Sequence, residues 1–552
     1  MRDHKEIQRT GLAGALVAWE ALLGTSQVTR DPEALREASL ATFSTTPRVL
    51  AILHPVTREE IQEVVRIANR FRIPLYPVSS GKNWGYGSRV PPQDGVLVDL
   101  GRMNRIVDFS EELAYVTIEP GVTQRQLHEF LRERGSRLWM DATGASPECS
   151  IIGNTMERGF GHTPMGDHCG TACGFEVVLP NGETLETGFS RFPGSKTGPL
   201  HRWGVGPSLD GLFSQSNFGI VTRMSVWLMP APECFQAFFF LCHDEQGLGP
   251  IVDALRPLRL NETLRSVVHI GNDYKVLAAT GQYPWGRTEG RVPLGRAIVD
   301  SIRRESSIGR WNGSGGLYGT RGQVREARSQ LRRALAGKVD RLQFVDDRLL
   351  GFMQTCAKPF RLLTGWDVSR TLSVVAPVYN LLKGVPTDAP MASTYWRKKM
   401  RVPAHMNPDR DGCGLLWCSP VVPNRGQDIA DVTQIATSTL LGCEFEPQIS
   451  ISLATARAAI CVITISYDRA VHGEDERALR CYVALLERLL ASGYPPYRLN
   501  VASMDRMRDD TSYGNALRAL KASLDPNGIL APGRYEPAAS AVESNDRAIG
   551  VA

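Results

Sequence analysis

The sequence predicts an α+β protein of two domains, and three observations lead to this fold class. The chain has 552 residues, more than a single hydrophobic core usually serves. Between residues 46 and 232, short apolar runs alternate with amphipathic helical segments, as expected for small sheets covered by helices. After residue 232, longer helical segments alternate with strand-like runs at 449–452 and 460–463, which indicates a second α+β unit.

Hydrophobic periodicity and turn residues place the individual elements. Thr57 and Glu60 have the spacing of a capping box before a helical pattern, and Asn181-Gly182 between two apolar runs predicts a hairpin. Helices are expected at residues 11–24, 61–71, 249–258, 324–335 and 474–491. Strands are expected at residues 48–53, 74–77, 96–98, 114–118, 176–179, 183–187 and 219–230.

Composition excludes several classes of protein. Hydrophobic residues make up 42% of the chain and charged residues 22%, as in globular proteins. No run of about 18 apolar residues is present, so we expect no membrane span and a cytoplasmic location. The net charge of +5 is spread over the chain, and the basic run Arg397-Lys398-Lys399 is short. Without a basic stripe interleaved with aromatic residues, we expect no nucleic-acid partner.

The cysteines predict neither disulfides nor a metal site. The chain has 11 of them, an odd number, and no CxxC pair. Cys169 and Cys173 follow His168 closely, but no second cluster completes a tetrahedral site. We therefore interpret them as buried thiols in a reducing compartment.

Two glycine-rich segments could bind a nucleotide. The sequence PVSSGKNWGYG at 77–87 follows a predicted strand, where glycines would let backbone N–H groups approach a pyrophosphate. It is neither a P-loop nor a GxGxxG motif that opens a helix. The sequence SIIGNTMERGFGHTP at 150–164 also combines glycines with polar side chains. Taken alone, a glycine-rich segment like the first is more often a plain turn, and the alternative for the second is an ordinary connection between sheet elements.

Five motifs in order resemble the vanillyl-alcohol oxidase / p-cresol methylhydroxylase family of flavoproteins. They are PVSSGKNWGYG, SIIGNTMERGFGHTPMGDH, FSQSNFGIVT, the pair Tyr497-Arg498 and DPNGILAPG. The resemblance is dense over residues 48–230, returns at 497–534 and is weak between them. Several spaced motifs in the right order are more specific than any one of them.

The resemblance implies a PCMH-type FAD-binding domain formed by both chain ends, with an inserted α+β cap domain. The implied units are an N-terminal helical extension (1–45), the FAD-binding domain (46–232), the cap (233–490), a C-terminal return (491–537) and a flexible tail (538–552). The residues implied in FAD binding are Pro77, Ser79, Ser80, Gly81, Lys82, Asn83, Ser150, Gly153, Asn154, Glu157, Gly159, Gly161, His162, Gly219, Ile220, Val221 and Arg534.

In phenol-oxidising members, two tyrosines and an arginine hold the substrate as a phenolate, and the matching residues here are Tyr86, Tyr497 and Arg498. A fixed guanidinium lowers the pKa of a bound phenol, and the phenolate promotes hydride loss from the para carbon. Pro495 and Pro496 favour a loop or strand edge before this pair, so both side chains could reach one pocket. The alternative is a surface arginine beside a packed tyrosine.

The sequence departs from the family at two positions. The histidine that bonds the flavin in some members falls on Leu415, and His405 fits poorly, so we expect non-covalent FAD. An aspartate acid/base falls on Ala145, which cannot take a proton. His162 is the candidate replacement, as a base or as a hydrogen-bond partner of the substrate, and the alternative is a histidine bonded to a flavin oxygen. Glu148 lies close to Ala145 in sequence.

A cap-domain arginine stabilises the reduced flavin in relatives, and Arg397 could match it or could lie in a solvated basic turn. The resemblance further implies a homodimer or higher homo-oligomer.

Four functions remain open at this point. They are oxidation of a para-alkyl or para-hydroxymethyl phenol, oxidation of a non-phenolic alcohol, amine or natural-product intermediate, flavin-bound group transfer, and non-enzymatic nucleotide binding. The electron acceptor is oxygen or a cytochrome; the absence of a CxxCH motif means that a cytochrome would be a separate chain.

Overall fold

The computed structural model describes residues 2–364, 368–504, 506 and 511–536. It confirms the α+β fold class. The predicted tail at 538–552 lies outside the described residues. The N-terminal part contains α1 (Arg2–Leu23), β1 (Val28–Thr29), α2 (Pro32–Ala38), β2 (Val49–Leu53), α3 (Arg58–Phe71), β3 (Leu75–Val78), β4 (Gly95–Asp99), β5 (Ile106–Ser110), β6 (Tyr115–Ile118), α4 (Gln124–Glu133), β7 (Leu138–Trp139), α5 (Ile151–Met156), β8 (Ala172–Val178), β9 (Thr184–Glu186), α6 (Asp210–Phe213), β10 (Ile220–Trp227) and β11 (Met229–Pro230).

The remaining elements form the central part and the C-terminal return. They are β12 (Cys234–Cys242), α7 (Leu248–Leu260), β13 (Val268–Asn272), α8 (Asp273–Thr280), α9 (Trp285–Thr288), α10 (Arg296–Ser306), β14 (Trp311–Gly319), α11 (Arg321–Leu335), β15 (Arg341–Val345), α12 (Asp347–Thr364), α13 (Val368–Leu381), β16 (Cys413–Cys418), β17 (Val421–Pro423), α14 (Gly426–Gly442), β18 (Gln448–Leu453), β19 (Ala458–Asp468), α15 (Glu474–Ala491) and α16 (Ser512–Leu524). Among the described residues, no helix is both long and apolar enough to cross a bilayer.

The first sheet has the strand order β1-β2-β4-β3, with β2, β4 and β3 parallel and β1 antiparallel at the edge. The helix α1 packs on α3, where the indole nitrogen of Trp19 donates to the carbonyl of Val64 at 3.2 Å. The N-terminal residues thus contribute a strand and a helix to this layer.

The second sheet is antiparallel, with the order β5-β6-β10-β8-β9. The predicted hairpin is the β8–β9 pair, and Gly182 at its turn has a φ of 79° that favours glycine. At the start of α3, Thr57 caps the amide of Glu60, but the Glu60 carboxylate accepts from Val56 and not from the cap residue. The predicted capping box is therefore only half formed.

Residues 150–156, for which no helix is expected from the sequence, are partly helical. Ser150 caps α5 by accepting from the amide of Gly153 at 2.9 Å. The Ser150 hydroxyl in turn donates to the carbonyl of Pro120 at 2.6 Å. The glycine in this segment concealed the helix, because Gly disfavours helices when only local propensity is considered.

The cap sheet has the order β15-β12-β14-β13-β18-β19-β16, with β17 paired to β19. One face carries Ile449, Ile451, Ile463 and Ile465, which are buried in one core with residues of α14 and α15. Because side chains alternate along strands, the residues between these lie on the opposite face, which carries Trp417 against the glycine loop. The cap sheet therefore presents an apolar face to its own helices and a different face to the first domain.

The C-terminal residues return to the first sheet. The amide of Leu75 in β3 donates to Ile529, and the amide of Ala531 donates back to Leu75, both at 2.8 Å. Lys521 in α16 stabilises this turn, because its buried ammonium donates to Asp525, to Leu530 and to Asn217 of the N-terminal part. The motif DPNGILAPG thus makes a structural connection between the two chain ends.

Candidate active site

The two glycine-rich segments lie side by side. The amide of Ser150 donates to the hydroxyl of Ser80 at 2.9 Å, and the Ser79 hydroxyl occupies the place where any side chain at Gly153 would lie. A residue with a Cβ at Gly153 would collide with Ser79, so glycine is required for this close approach. Residues predicted from separate parts of the sequence to bind one cofactor therefore meet in one place.

Lys82 contributes a positive charge to the first glycine-rich segment, at 77–87. Its side chain is half-buried, and no carboxylate of the described residues forms a salt bridge with it. Burial lowers the pKa of Lys82, with a further contribution from the neighbouring Arg89. A half-buried ammonium on a glycine-rich loop suits the diphosphate of a dinucleotide, which would supply the missing negative charge.

Asp409, in the segment before β16, forms hydrogen bonds between the cap and the glycine-rich segment at 77–87. It accepts hydrogen bonds from the indole of Trp84 at 3.2 Å and from the hydroxyl of Ser88 at 2.7 Å. Burial raises the pKa of Asp409 from 3.8 to about 6, although both hydrogen bonds oppose the shift. The folded protein therefore holds this proton at a pH where the unfolded chain has lost it.

This pKa gives a pH-dependent prediction for Asp409→Asn. The folded state binds the extra proton between about pH 4 and 6, so the stability contribution of Asp409 is present below pH 4 and lost as the pH rises through 6. The amide keeps an acceptor oxygen and carries no charge. We expect its stability relative to wild type to rise by about 1–2 kcal/mol between pH 4.5 and 7.5. Urea unfolding at several pH values measures this, with exposed Glu112→Gln as the control; a difference independent of pH would contradict it.

Tyr86, Tyr497 and Arg498 are brought together, as predicted from the resemblance. The guanidinium carbon of Arg498 lies 3.9 Å from the centre of the Tyr86 ring and 5.9 Å from that of Tyr497. The Tyr86 hydroxyl lies 2.6 Å from the hydroxyl of Ser419, whose carbonyl accepts from the amide of Tyr497 at 3.0 Å. Arg498 is only 8% exposed, so the alternative of a surface arginine is wrong. We call these four residues the phenol cradle.

The electrostatics of the phenol cradle favour a bound anion. Burial raises the pKa of Tyr86 well above its usual value, and the nearby Tyr497 raises it further, so its hydroxyl remains a donor. Burial alone would lower the pKa of Arg498, but Tyr497 and the Glu157 carboxylate outweigh it and raise the pKa. The Nε of Arg498 is buried without a hydrogen-bond partner among the described residues. The cradle thus holds a permanent cation with a spare donor.

Glu157 connects this cation to the C-terminal return. Its carboxylate lies 3.4 Å from Arg498, accepts from Arg534, and accepts from the Tyr535 hydroxyl at 2.8 Å. Burial would raise the pKa of Glu157, but Arg534 and Arg498 outweigh it and lower the pKa. Glu157 and Arg534, predicted as cofactor ligands, therefore bind each other. Arg498 is held by two partners, the Glu157 carboxylate and the side-chain oxygen of Asn83.

The ring of His162 lies beside that of His269, a contact that could not be predicted from the sequence. The Nδ1 of His162 donates to the carbonyl of Ala142 at 2.9 Å, and its ring lies 4.4 Å from that of His269 in β13. Burial lowers the pKa of both imidazoles, so they are neutral near pH 7. Phe160 lies between His269 and Tyr497, with ring centres 6.4 and 6.0 Å away. The histidine pair therefore lies on the domain boundary, one ring beyond the phenol cradle.

The surroundings of Ala145 identify the proton-accepting groups nearby. The His162 ring is 3.9 Å from the position of a Cβ on Gly144, so an imidazole lies next to the position that lacks the aspartate. Glu148 points to solvent and pairs with Arg125. His162 is thus the better placed of the two candidates.

A second buried carboxylate positions the loop that carries His162. Asp141 accepts from the amide of His162 at 3.1 Å, from that of Thr163 at 2.6 Å and from His168 at 2.6 Å. Burial would raise the pKa of Asp141, but the bonds from His168 and Thr163 lower it. Gly161 leaves the space that this carboxylate occupies.

Arg397 is deeply buried, so the alternative of a solvated basic turn is wrong. It is 2% exposed, lies 5.0 Å from the centre of the Tyr283 ring, and has its Nε 3.4 Å from Glu446. Burial raises the pKa of Glu446, and Arg397 opposes the shift. None of the three Arg397 nitrogens makes a well-formed hydrogen bond with a described residue. Its predicted place beside the flavin remains a prediction.

The face of the cap sheet that is turned toward the first domain carries several buried polar atoms without partners among the described residues. They are Trp417 Nε1, Gln448 Nε2, Thr464 Oγ1, Ser466 Oγ and His269 Nε2. Buried polar groups are normally hydrogen-bonded, so such a cluster indicates that this face contacts a molecule with matching acceptors. A signal was present in the sequence, because QISISL and VITIS alternate polar with apolar residues.

The remaining predicted residues have mixed surroundings. Gly219 packs against Val177, and the side chains of Ile220 and Val221 are buried in two hydrophobic cores, so only their backbone could face an adenine. Pro77 lies in β3. Asn154 bonds His168, and Gly159 packs against Asn154. Leu415 is buried against Trp84 and Met391.

Comparison with known proteins matches this arrangement. The model of the FAD binding domain family matches residues 49–188. The chain resembles a solved 4-ethylphenol oxidase from Gulosibacter chungangensis in complex with isoeugenol, with a TM-score of 0.86 and 28% identity over 95% of this chain and 97% of that one. Together with these comparisons, the fold and the paired glycine segments define an FAD-dependent oxidoreductase.

Two relatives identify the family. The chain is 33% identical to the 4-cresol dehydrogenase [hydroxylating] flavoprotein subunit of Pseudomonas putida, over 88% of this chain and 87% of that one. It is 46% identical to the 1'-carboxy-chondrochloren decarboxylase of Chondromyces crocatus, over 95% and 97%. The chain belongs to the vanillyl-alcohol oxidase / p-cresol methylhydroxylase family.

Proposed function

We propose that the protein oxidises the benzylic carbon of a para-substituted phenol that binds as the phenolate. The observation that carries the proposal is the buried phenol cradle, in which Arg498 lies over Tyr86 beside Tyr497 and Ser419. The spare Nε–H of Arg498 and the hydroxyl donors would hold a phenolate oxygen and lower the pKa of the phenol. The names of the solved 4-ethylphenol oxidase and the 4-cresol relative support a phenolic substrate.

We propose that FAD is held by the two glycine-rich segments, with Ser79, Ser80, Gly81 and Lys82 at the diphosphate. Bound FAD supplies a two-electron acceptor. The protein's own contribution is to orient the phenol, to stabilise its anion at Arg498, and to exclude water by closing the cap sheet over the site. Electron release from the phenolate oxygen weakens the benzylic C–H bond, because the product of hydride loss is a neutral quinone methide.

We propose that the FAD is not covalently attached. The matching position is Leu415, whose side chain is buried among Trp84, Met391 and Trp417 and cannot form a bond to the flavin. His405 is exposed on the segment before β16.

A second candidate substrate is a phenol whose side chain ends in a carboxylate. The 46% identity to a protein named as a decarboxylase favours this class. A quinone methide with a carboxylate on the adjacent carbon can lose CO2, and the electrons of the broken C–C bond then form a vinyl group and restore the phenolate. The same phenol cradle serves both candidates.

The test is an anaerobic titration of the purified yellow protein with 4-ethylphenol, with 4-ethylanisole as a matched control that cannot ionise. We expect the phenol to bleach the flavin at least about 1,000-fold faster, because only the phenolate can donate electrons. Equal rates would contradict the proposal in favour of a non-phenolic substrate. Acid precipitation should leave the flavin in the supernatant. Admitting oxygen then distinguishes the acceptors, since an oxidase reoxidises at once and a dehydrogenase requires a separate carrier.

A further inference from the structure

A row of three cross-strand neighbours forms part of the cap face. Trp417 in β16 pairs with Thr464 in β19, and Thr464 pairs with Gln448 in β18. Adjacent strands are about 4.8 Å apart, so the row spans roughly 10 Å across the sheet. We call these three residues the donor row. Ser466 lies two residues beyond Thr464 on the same face of β19.

The donor row is buried and lacks partners. Gln448 is 1% exposed and Thr464 2%, and Trp417 is half-buried. The indole nitrogen, the hydroxyl and the amide nitrogen of the row have no hydrogen-bond partner among the described residues. An indole N–H and an amide NH2 are donors only, and a hydroxyl can also donate. The row therefore suits a ligand group that is rich in acceptors.

The donor row begins at the phenol cradle. The Trp417 ring lies edge-on to that of Tyr86, with 5.6 Å between their centres, and the Trp417 amide donates to the carbonyl of Gly85 at 3.1 Å. From there the row leads away across the sheet. A molecule with its phenol oxygen at Arg498 would meet the row with its para side chain.

The row itself carries no charge. The buried guanidinium near its far end, Arg397, is paired with Glu446, two residues before Gln448. The row thus offers neutral donors where the cradle offers a cation.

We propose that the donor row binds the carboxylate of a phenolic substrate's para side chain, and that the protein prefers such substrates to uncharged para-alkylphenols. The proposal rests on the proposed phenol oxidation and names its substrate class. It assigns Trp417, Thr464 and Gln448 to a binding subsite that begins beside the phenol cradle.

The placement of charge fits loss of CO2 after oxidation. After loss of the benzylic hydride, for which bound FAD would supply the two-electron acceptor, the bond between the adjacent carbon and the carboxylate would break and CO2 would leave. Its electron pair forms the vinyl double bond and returns one negative charge to the phenol oxygen. The negative charge thus moves from the neutral donor row to the cation of Arg498, where it is more stable.

The test measures the affinity of the holoenzyme for two ligands, 4-hydroxycinnamate and 4-vinylphenol. Neither has a saturated benzylic carbon, so neither can be oxidised during the measurement. The variants are Gln448→Met and Thr464→Val, which keep size and remove the donors. We expect each variant to lower the affinity for 4-hydroxycinnamate about 10- to 100-fold, because each loses a hydrogen bond to the charged carboxylate. The affinity for 4-vinylphenol, which has no carboxylate, should change less than about 3-fold. Gln448→Glu should lower the affinity for 4-hydroxycinnamate further, because the new carboxylate repels that of the ligand.

Folding is preserved in these variants, because replacing an unpaired buried polar atom by an apolar one is neutral or stabilising. Their melting temperatures should equal or exceed that of wild type. Thr439→Val in α14, behind the apolar face of the sheet, is the matched control and should leave both affinities unchanged.

Two outcomes would overturn the proposal. An equal loss for both ligands would show that the row supports the ring, and a changed flavin spectrum or FAD affinity with unchanged ligand binding would show that the row bonds the cofactor. Bleaching of wild-type protein by 4-ethylphenol reports separately on the proposed function, so the two failures are distinguishable.

Discussion

Replacing Arg498 with methionine is expected to lower kcat/KM for a para-alkylphenol by about 1,000-fold, because the variant loses the buried cation that stabilises the phenolate. Removing one partner of a buried charge pair costs about 3–5 kcal/mol, and each 1.4 kcal/mol is tenfold in rate. Methionine keeps the apolar bulk beside Tyr86, and Glu157 retains Arg534 as its partner.

The ionisation of a bound phenol distinguishes this role from a structural one. Wild type should bind 4-hydroxybenzaldehyde as the anion at pH 7, seen as a shift of its near-ultraviolet absorption band to longer wavelength, and Arg498→Met should bind it as the neutral phenol. Arg498→Lys should restore the anion in part, since it keeps the charge but not the planar fork. A methionine variant that binds the anion with turnover near wild type would rule out the phenolate mechanism.

Replacing Lys521 with methionine is expected to destabilise the protein by about 3–5 kcal/mol, because it leaves the Asp525 carboxylate buried without its cation. The Lys521 ammonium is 8% exposed and Asp525 is fully buried. The same ammonium bonds Leu530 and Asn217 at 2.8 and 2.9 Å, so the substitution also releases the C-terminal return from the first sheet. FAD should dissociate at a lower temperature than in wild type.

Thermal unfolding followed by flavin fluorescence measures this effect. Lys196→Met, on an exposed segment of the same domain, should change the melting temperature little. Adding Asp525→Asn to the Lys521 variant should recover part of the loss, because it removes the uncompensated charge. A Lys521 variant as stable as the Lys196 variant would show that the motif DPNGILAPG is not held by this ion pair.

The fold class and most elements could be predicted from the sequence, because hydrophobic period is local. α15 coincides with the predicted helix at 474–491, and Thr57 caps the helix expected after it. Predictions were wrong where a long-range partner overrode local preference. Ser150 begins a helix because its hydroxyl has a partner at Pro120, thirty residues away.

The site was predicted in part for the same reason. The adjacency of Tyr497 and Arg498 and the glycine segment at 77–87 are visible in the sequence. The partners of Arg498 are not, since Asn83 lies 415 positions away and Glu157 connects to Arg534 across 377. His269 was missed because nothing next to it in the sequence marks its ring as the neighbour of His162.

The sequence by itself determined the alternation that builds each sheet, the flavoprotein motifs and the residue types that could hold a phenolate. The tertiary structure alone decided which of those residues are buried together: it turned a basic run into the interior ion pair of Arg397, and a polar strand face into an enclosed row of donors. The physical reason is that side-chain period is set by neighbours in the chain, whereas burial and charge pairing are set by surfaces that meet only when the cap closes over the first domain.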